Sequence, residues 1–113
     1  MDGFDKLLTK TDIEQKLAVK TDFVTSNGLV DGTELETTDF TTSLRRSYRF
    51  KLSIRKGEYM KPVFQSKEWL QFVKDNCLEV GDTINFWKKD DKTFGICATR
   101  DFLWRSDRSS SEN

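Results

Sequence analysis

Across residues 48–55 apolar and polar side chains alternate without a break: Tyr48, Phe50, Leu52 and Ile54 on one side, Arg49, Lys51, Ser53 and Arg55 on the other. A two-residue period marks a strand with one buried face, because successive side chains leave an extended backbone on opposite sides. The alternation also fixes register, since a slip of one residue would move every apolar group to the solvent face. The chain must therefore build a sheet that covers the apolar face of this strand and leaves the other, cationic face in water.

The rest of the chain supplies the other strands. At 113 residues it is sized for one core, because two would each sit near the lower limit of autonomous folding. Hydrophobic residues are 35% and charged residues 34%, so apolar groups have to be concentrated in a few regular elements to offset chain entropy, and nine Phe and three Trp make that feasible. Residues 4–8 read as a short strand. Thr11 and Glu14 are spaced to cap a brief helix reciprocally. Leu17 and Val19 alternate with Lys16, Ala18 and Lys20 in the strand period, and Asn27-Gly28 and Asp31-Gly32 mark turns. The Thr-rich stretch 36–42 suits an exposed strand. After Gly57, residues 59–64 form a strand that Pro62 confines to an edge or an irregular position. Ser66 is placed to cap a helix over 67–76, with Trp69, Leu70, Val73 and Cys77 on its apolar side and Trp69 as a core anchor. Gly81-Asp82 turns the chain into a final hairpin of residues 83–88 and 93–100. The sum is a mainly β fold, a seven-stranded closed or nearly closed barrel with two short α-helices. The expected domain runs over 1–104, and the Ser-rich segment 105–113 reads as a disordered tail.

Chemistry is constrained by what is missing. Histidine is absent, which removes the commonest general base and metal ligand and every Ser-His or Cys-His nucleophile. Cys77 and Cys97 are too few for a disulfide scaffold, and without imidazole they cannot close a four-ligand zinc site unless carboxylates or another chain complete it. Each thiol is expected to be a small buried hydrophobe. No catalytic residues, metal, cofactor or small-molecule substrate is expected. No run reaches the roughly 18 apolar residues of a membrane span, and the start lacks signal-peptide features, so the chain reads as soluble and intracellular.

Net charge is zero, yet its distribution is uneven. Residues 1–44 hold four basic and nine acidic side chains, residues 45–61 seven and one, and residues 62–113 eight and nine. The middle segment is therefore a candidate patch for a polyanion, since local density rather than the total sets attraction. A solvated surface with no ligand is the competing reading.

Three blocks in series resemble the B3 domain of plant transcription factors: Tyr48-Arg49-Phe50-Lys51-Leu52, Trp69-Leu70-Gln71-Phe72-Val73-Lys74, and Leu78-Glu79-Val80-Gly81-Asp82-Thr83-Ile84-Asn85-Phe86. Leu8-Thr9-Lys10-Thr11-Asp12 is similar to the segment that leads the family's first helix. Within the family the chain looks most similar to the divergent reproductive-meristem type. The resemblance implies a DNA-binding pseudobarrel that grips the major groove of double-stranded DNA between two arms. The first arm falls on Lys16, Ala18, Lys20 and Thr21. Lys16 stands where the family has Arg, which exchanges a bidentate grip on a guanine edge for a single-point contact or a phosphate contact. Lys20 stands at a usual Pro and Thr21 at a usual Lys. The second arm falls on Arg55, Lys56, Gly57, Glu58, Tyr59 and Lys61, with Arg55 and Lys56 as the principal cations and Lys61 as a phosphate partner. Gly57 allows close backbone approach, Tyr59 can contact a base or sugar, and Glu58 orients an arginine or disfavours wrong sequences. Arg45, Arg46 and Arg49 are expected to extend the patch at its base.

The expected function is sequence-selective duplex binding in the nucleus, regulating transcription, with protein partners in a transcription complex. A divergent module acting mainly through protein partners, with weak DNA affinity, is the alternative. An effector domain of a restriction endonuclease is a third reading, against which stands the lack of an acidic cluster with a Lys at nuclease spacing.

Overall fold

Strand β4 (Ser47–Arg55) carries the alternation into three dimensions: Tyr48, Phe50 and Leu52 are buried, while Arg49, Lys51 and Arg55 are exposed. A computed structural model gives the structure, and residues 2–55 and 61–100 are described. Around β4 the chain runs in the order β1 (Gly3–Leu7), α1 (Lys10–Glu14), β2 (Leu17–Ala18), α2 (Thr21–Ser26), β3 (Glu34–Asp39), β4, β5 (Lys61–Phe64), α3 (Ser66–Asp75), β6 (Thr83–Lys88) and β7 (Thr93–Thr99). The seven strands form one sheet in the order β1-β6-β7-β3-β4-β5-β2. Its end strands β1 and β2 do not pair, so it is a curled half-barrel rather than a closed one. Neighbours are antiparallel except β3 and β7, which run parallel from Glu36 opposite Thr93 to Asp39 opposite Ile96.

The core is aromatic. Phe50 stacks on Phe64 with centroids 5.0 Å apart and meets Trp69 and Phe72 edge-on at 6.1 Å. Phe86 continues the cluster to Phe23 at 5.6 Å and Phe94 at 5.5 Å. Offset and edge-to-face pairs of this kind add about 0.5–1.5 kcal/mol each beyond the area they bury. The Tyr48 hydroxyl donates to Asp75 at 2.5 Å, and the Asn76 amide donates to buried Asp39 at 2.9 Å, so the C-terminal end of α3 is tied to β4 and β3.

Several expectations need correction. There are three short helices among the described residues, not two: α2 forms because Phe23 and Val24 are fully buried. Tertiary burial outweighs the weak helix propensity of Thr21, Val24 and Thr25. The first capping box is built by Thr9 and Asp12 rather than Thr11 and Glu14. Strand β3 spans 34–39 instead of 36–42 and is not an exposed strand: it lies between β4 and β7, burying Leu35, Thr37 and Asp39. Ser66 is the first residue of α3, preceded by Gln65 without a side-chain cap, and Phe72 is on the buried side of that helix. Cys77 is exposed, at a positive φ of 51° just after α3, and Cys97 is half-buried, so neither is the buried hydrophobe expected. Residues 101–104 and the tail expected at 105–113 lie outside the described residues. No described helix is long and apolar enough to cross a membrane.

Candidate functional site

Three strands bring the first-arm residues and the ends of the second arm onto one face. Arg55 is level with Lys61 and Ser53 with Val63 across β4 and β5. Ala18 is level with Val63 across β2 and β5. The Val19 N–H donates to the Pro62 carbonyl at 2.9 Å, which carries the register on and sets Lys20 level with Lys61. In the other direction, Lys16 immediately precedes β2, and Gln65, just after β5, donates its N–H to the Lys51 carbonyl at 2.9 Å. Level residues on adjacent strands share a face, and so do residues two apart on one strand.

The result is three rows: Lys20, Lys61 and Arg55; Ala18, Val63 and Ser53; Gln65 and Lys51, with Lys16 just before β2. All are exposed except Val63 and Ser53, which are half-buried. Rows two residues apart lie about 7 Å from each other, so the two cationic rows are about 14 Å apart with a floor of small side chains between them. That separation is similar to the major-groove width of about 12 Å. Cations this close act together, because the screening length at physiological salt is about 8 Å. The arrangement suits an extended polyanion whose surface approaches the small floor.

The first arm is held from beneath by Asp12, which is 2% exposed. One carboxylate oxygen, Oδ2, accepts from Lys6 Nζ at 2.9 Å, the Thr9 N–H at 2.8 Å and the Thr9 hydroxyl at 2.9 Å, while Oδ1 accepts from the Ala18 N–H at 3.3 Å. Burial alone would raise the pKa of this carboxyl, but the bonds from the Thr9 backbone, Lys6, the Thr9 side chain and Ala18 outweigh it and hold the group below its ordinary value. The Asp12 carbonyl in turn accepts from the Trp69 Nε1–H at 2.7 Å. Thr21, the remaining first-arm residue, is the exposed first residue of α2, and Lys20 precedes it at the helix cap position.

The structure therefore gathers Lys16, Ala18, Lys20, Arg55 and Lys61 and adds Lys51, Ser53, Val63 and Gln65. Lys51 and Ser53 are visible in the sequence as the outer face of β4; Val63 and Gln65 give no signal there, since their role comes from register. Lys56, Gly57, Glu58 and Tyr59 lie outside the described residues. Of the arginines expected at the base of the patch, Arg49 lies on the same face two residues beyond Lys51, whereas Arg45 and Arg46 precede β4. A strand rises about 3.4 Å per residue, so Arg45 and Arg46, before the start of β4, are about 30 Å or more along the chain from Arg55. The Arg45 guanidinium packs over Phe40, 4.7 Å from the ring centroid, and donates to the Thr42 carbonyl at 2.6 Å. Arg49 pairs with Glu36, and with Glu34 at 3.5 Å, both reaching across from β3. Charge counted along the chain misses these cross-strand carboxylates.

A family model described as B3 DNA binding domain matches residues 4–100. No curated protein matches. Among solved structures, the chain is similar to FUS3 from Arabidopsis, solved as a DNA complex, with a TM-score of 0.70 and 16% identity over 86% of this chain and 95% of that one. It is similar to the Arabidopsis thaliana transcription factor LEC2, also solved with DNA, with a TM-score of 0.70 and 16% identity over 86% and 91%. The N-terminal domain of Helicobacter pylori LlaJI.R1 aligns with a TM-score of 0.66 at 6% identity over 96% and 91%. Likeness at such identities establishes the fold alone.

Proposed function

The chain belongs to the B3 DNA binding domain family, a family of DNA-binding domains rather than enzymes, and from that premise we propose that it reads double-stranded DNA through the β2-β5-β4 face. The observation that carries this reading is the pairing of Arg55 with Lys61 across β4 and β5, with Lys20 beside them just after β2 and Lys51 two rows away on the same face. Lys20, Lys51 and Lys61 engage phosphates and fix orientation; base edges in the major groove are met by arm residues, among them Arg55, Lys56 and Tyr59. Gly57 gives the second arm close approach, and Glu58 tunes its selectivity. The small floor formed by Ala18, Ser53 and Val63 lets the duplex approach the sheet. The domain, 1–104, acts in the nucleus as the DNA-reading part of a transcription factor, with no membrane or small-molecule partner.

One observation favours the protein-partner reading: the pairing of Arg49 with Glu34 and Glu36 withdraws a cation from the surface offered to phosphate. Titration with mixed-sequence duplex at two salt concentrations separates the two. Micromolar or tighter binding that weakens steeply with salt supports DNA reading. No binding at low salt overturns it. Selection of bound sequences from a random duplex library then tests selectivity, and recovery of no shared motif would reduce the proposal to nonspecific binding.

A further inference from the structure

We propose that Asp12 is the positioning residue of the first arm: without touching DNA, it sets the placement of Lys16, Ala18 and Lys20. The inference rests on the DNA-reading function proposed above and deepens it.

Strand β2 has only two residues and ends the sheet. Its partner β5 lies on one side, where the Val19 N–H meets the Pro62 carbonyl. Backbone groups alternate in direction along a strand, so the Ala18 N–H points away from β5, toward the open edge. There it meets Asp12 Oδ1. Two residues of ladder pairing on one side are a weak hold, and an edge N–H turned inward without a partner would be costly. The Asp12 carboxylate supplies the missing second side.

Asp12 can do this because it is itself fixed from three directions. Lys6 reaches it from β1, Thr9 from the start of α1, and the Trp69 indole binds its carbonyl from α3. It thus transfers the rigidity of the core to the edge strand that bears the exposed arm. The geometry also demands a carboxylate. Oδ2 faces three donors and Oδ1 faces a fourth, so an asparagine must turn its NH2 toward donors on one side or the other.

The test compares the full chain with Asp12→Asn for duplex affinity at several salt concentrations, well below the unfolding transition, and for exchange of the Ala18 amide proton. Asp82→Asn, which removes another buried carboxylate in the turn before β6, serves as a control for general destabilisation. We expect Asp12→Asn to fold, to exchange the Ala18 proton at least tenfold faster, to bind DNA about tenfold more weakly, and to reduce its salt slope by about one to two as Lys16 and Lys20 leave their phosphates. Asp82→Asn is expected to melt earlier with its salt slope intact. Unchanged affinity and slope in folded Asp12→Asn overturns the proposal, as does an equal fall in slope in Asp82→Asn. Should Asp12→Asn fail to fold, Asp12→Glu, which keeps the charge and displaces the oxygens by one methylene, is held to the same outcomes. Absence of salt-sensitive duplex binding by the unmodified chain is a different failure, that of the proposed function itself.

Discussion

Trp69 joins the apolar core to the polar anchor of the first arm. It is fully buried, touches Phe50 and Phe72, and directs its one donor to the Asp12 carbonyl. Trp69→Ala is therefore expected to cost about 3–5 kcal/mol, read as a lower urea midpoint at unchanged m value. Asp12 adds a pH dependence. Its folded pKa is below the ordinary 3.8, so its contribution is complete above that value and is lost as pH falls through the lower folded one. Unfolding free energy measured from pH 6 to pH 2 should fall below about pH 4, more steeply in the native chain than in Asp12→Asn. The residue scale also shows why the pattern of residues points to the wrong helix start. Thr9-Asp12 and Thr11-Glu14 both have the three-residue spacing of a capping box. The choice between them is made by Lys6 and Ala18, which find Asp12 only after the chain has folded.

At the scale of elements, legibility follows the length of the local pattern. β4 has nine residues of alternation and α3 ten residues with a clear apolar side, and both are evident before any folding is considered. β2 and α2 have two and six residues, and what makes them strand and helix is contact with β5 and with the core. The candidate face is half legible for the same reason: Arg55 and Lys51 follow from alternation within one strand, whereas the levelling of Lys20 with Lys61 depends on pairing between strands. If these strands act as one surface, Lys20→Ala with Arg55→Ala should lower duplex affinity and reduce the salt slope by about two, at roughly 0.9 for each phosphate no longer neutralised. The thermal midpoint should hold within a few degrees, since both side chains are exposed.

On the scale of the whole molecule, zero net charge is compatible with a cationic face because acidic groups are concentrated elsewhere, as on β3. Glu34 and Glu36 hold Arg49 in a pair, so Glu34→Gln with Glu36→Gln should release it and raise nonspecific duplex affinity. The gain should be largest below about 50 mM salt and absent in a chain also carrying Arg49→Ala. The parallel ladder between β3 and β7 has a different consequence. Among the described residues it is the single strand pairing that joins β1-β6-β7 to β3-β4-β5-β2. Of the described strands β7 is the last to leave the ribosome, so the flank of β3 stays bare until the other six have emerged. A series of stalled nascent chains should remain protease-sensitive until residue 99 clears the exit tunnel, and a chain truncated before Thr93 should be a sticky fragment instead of a smaller working domain.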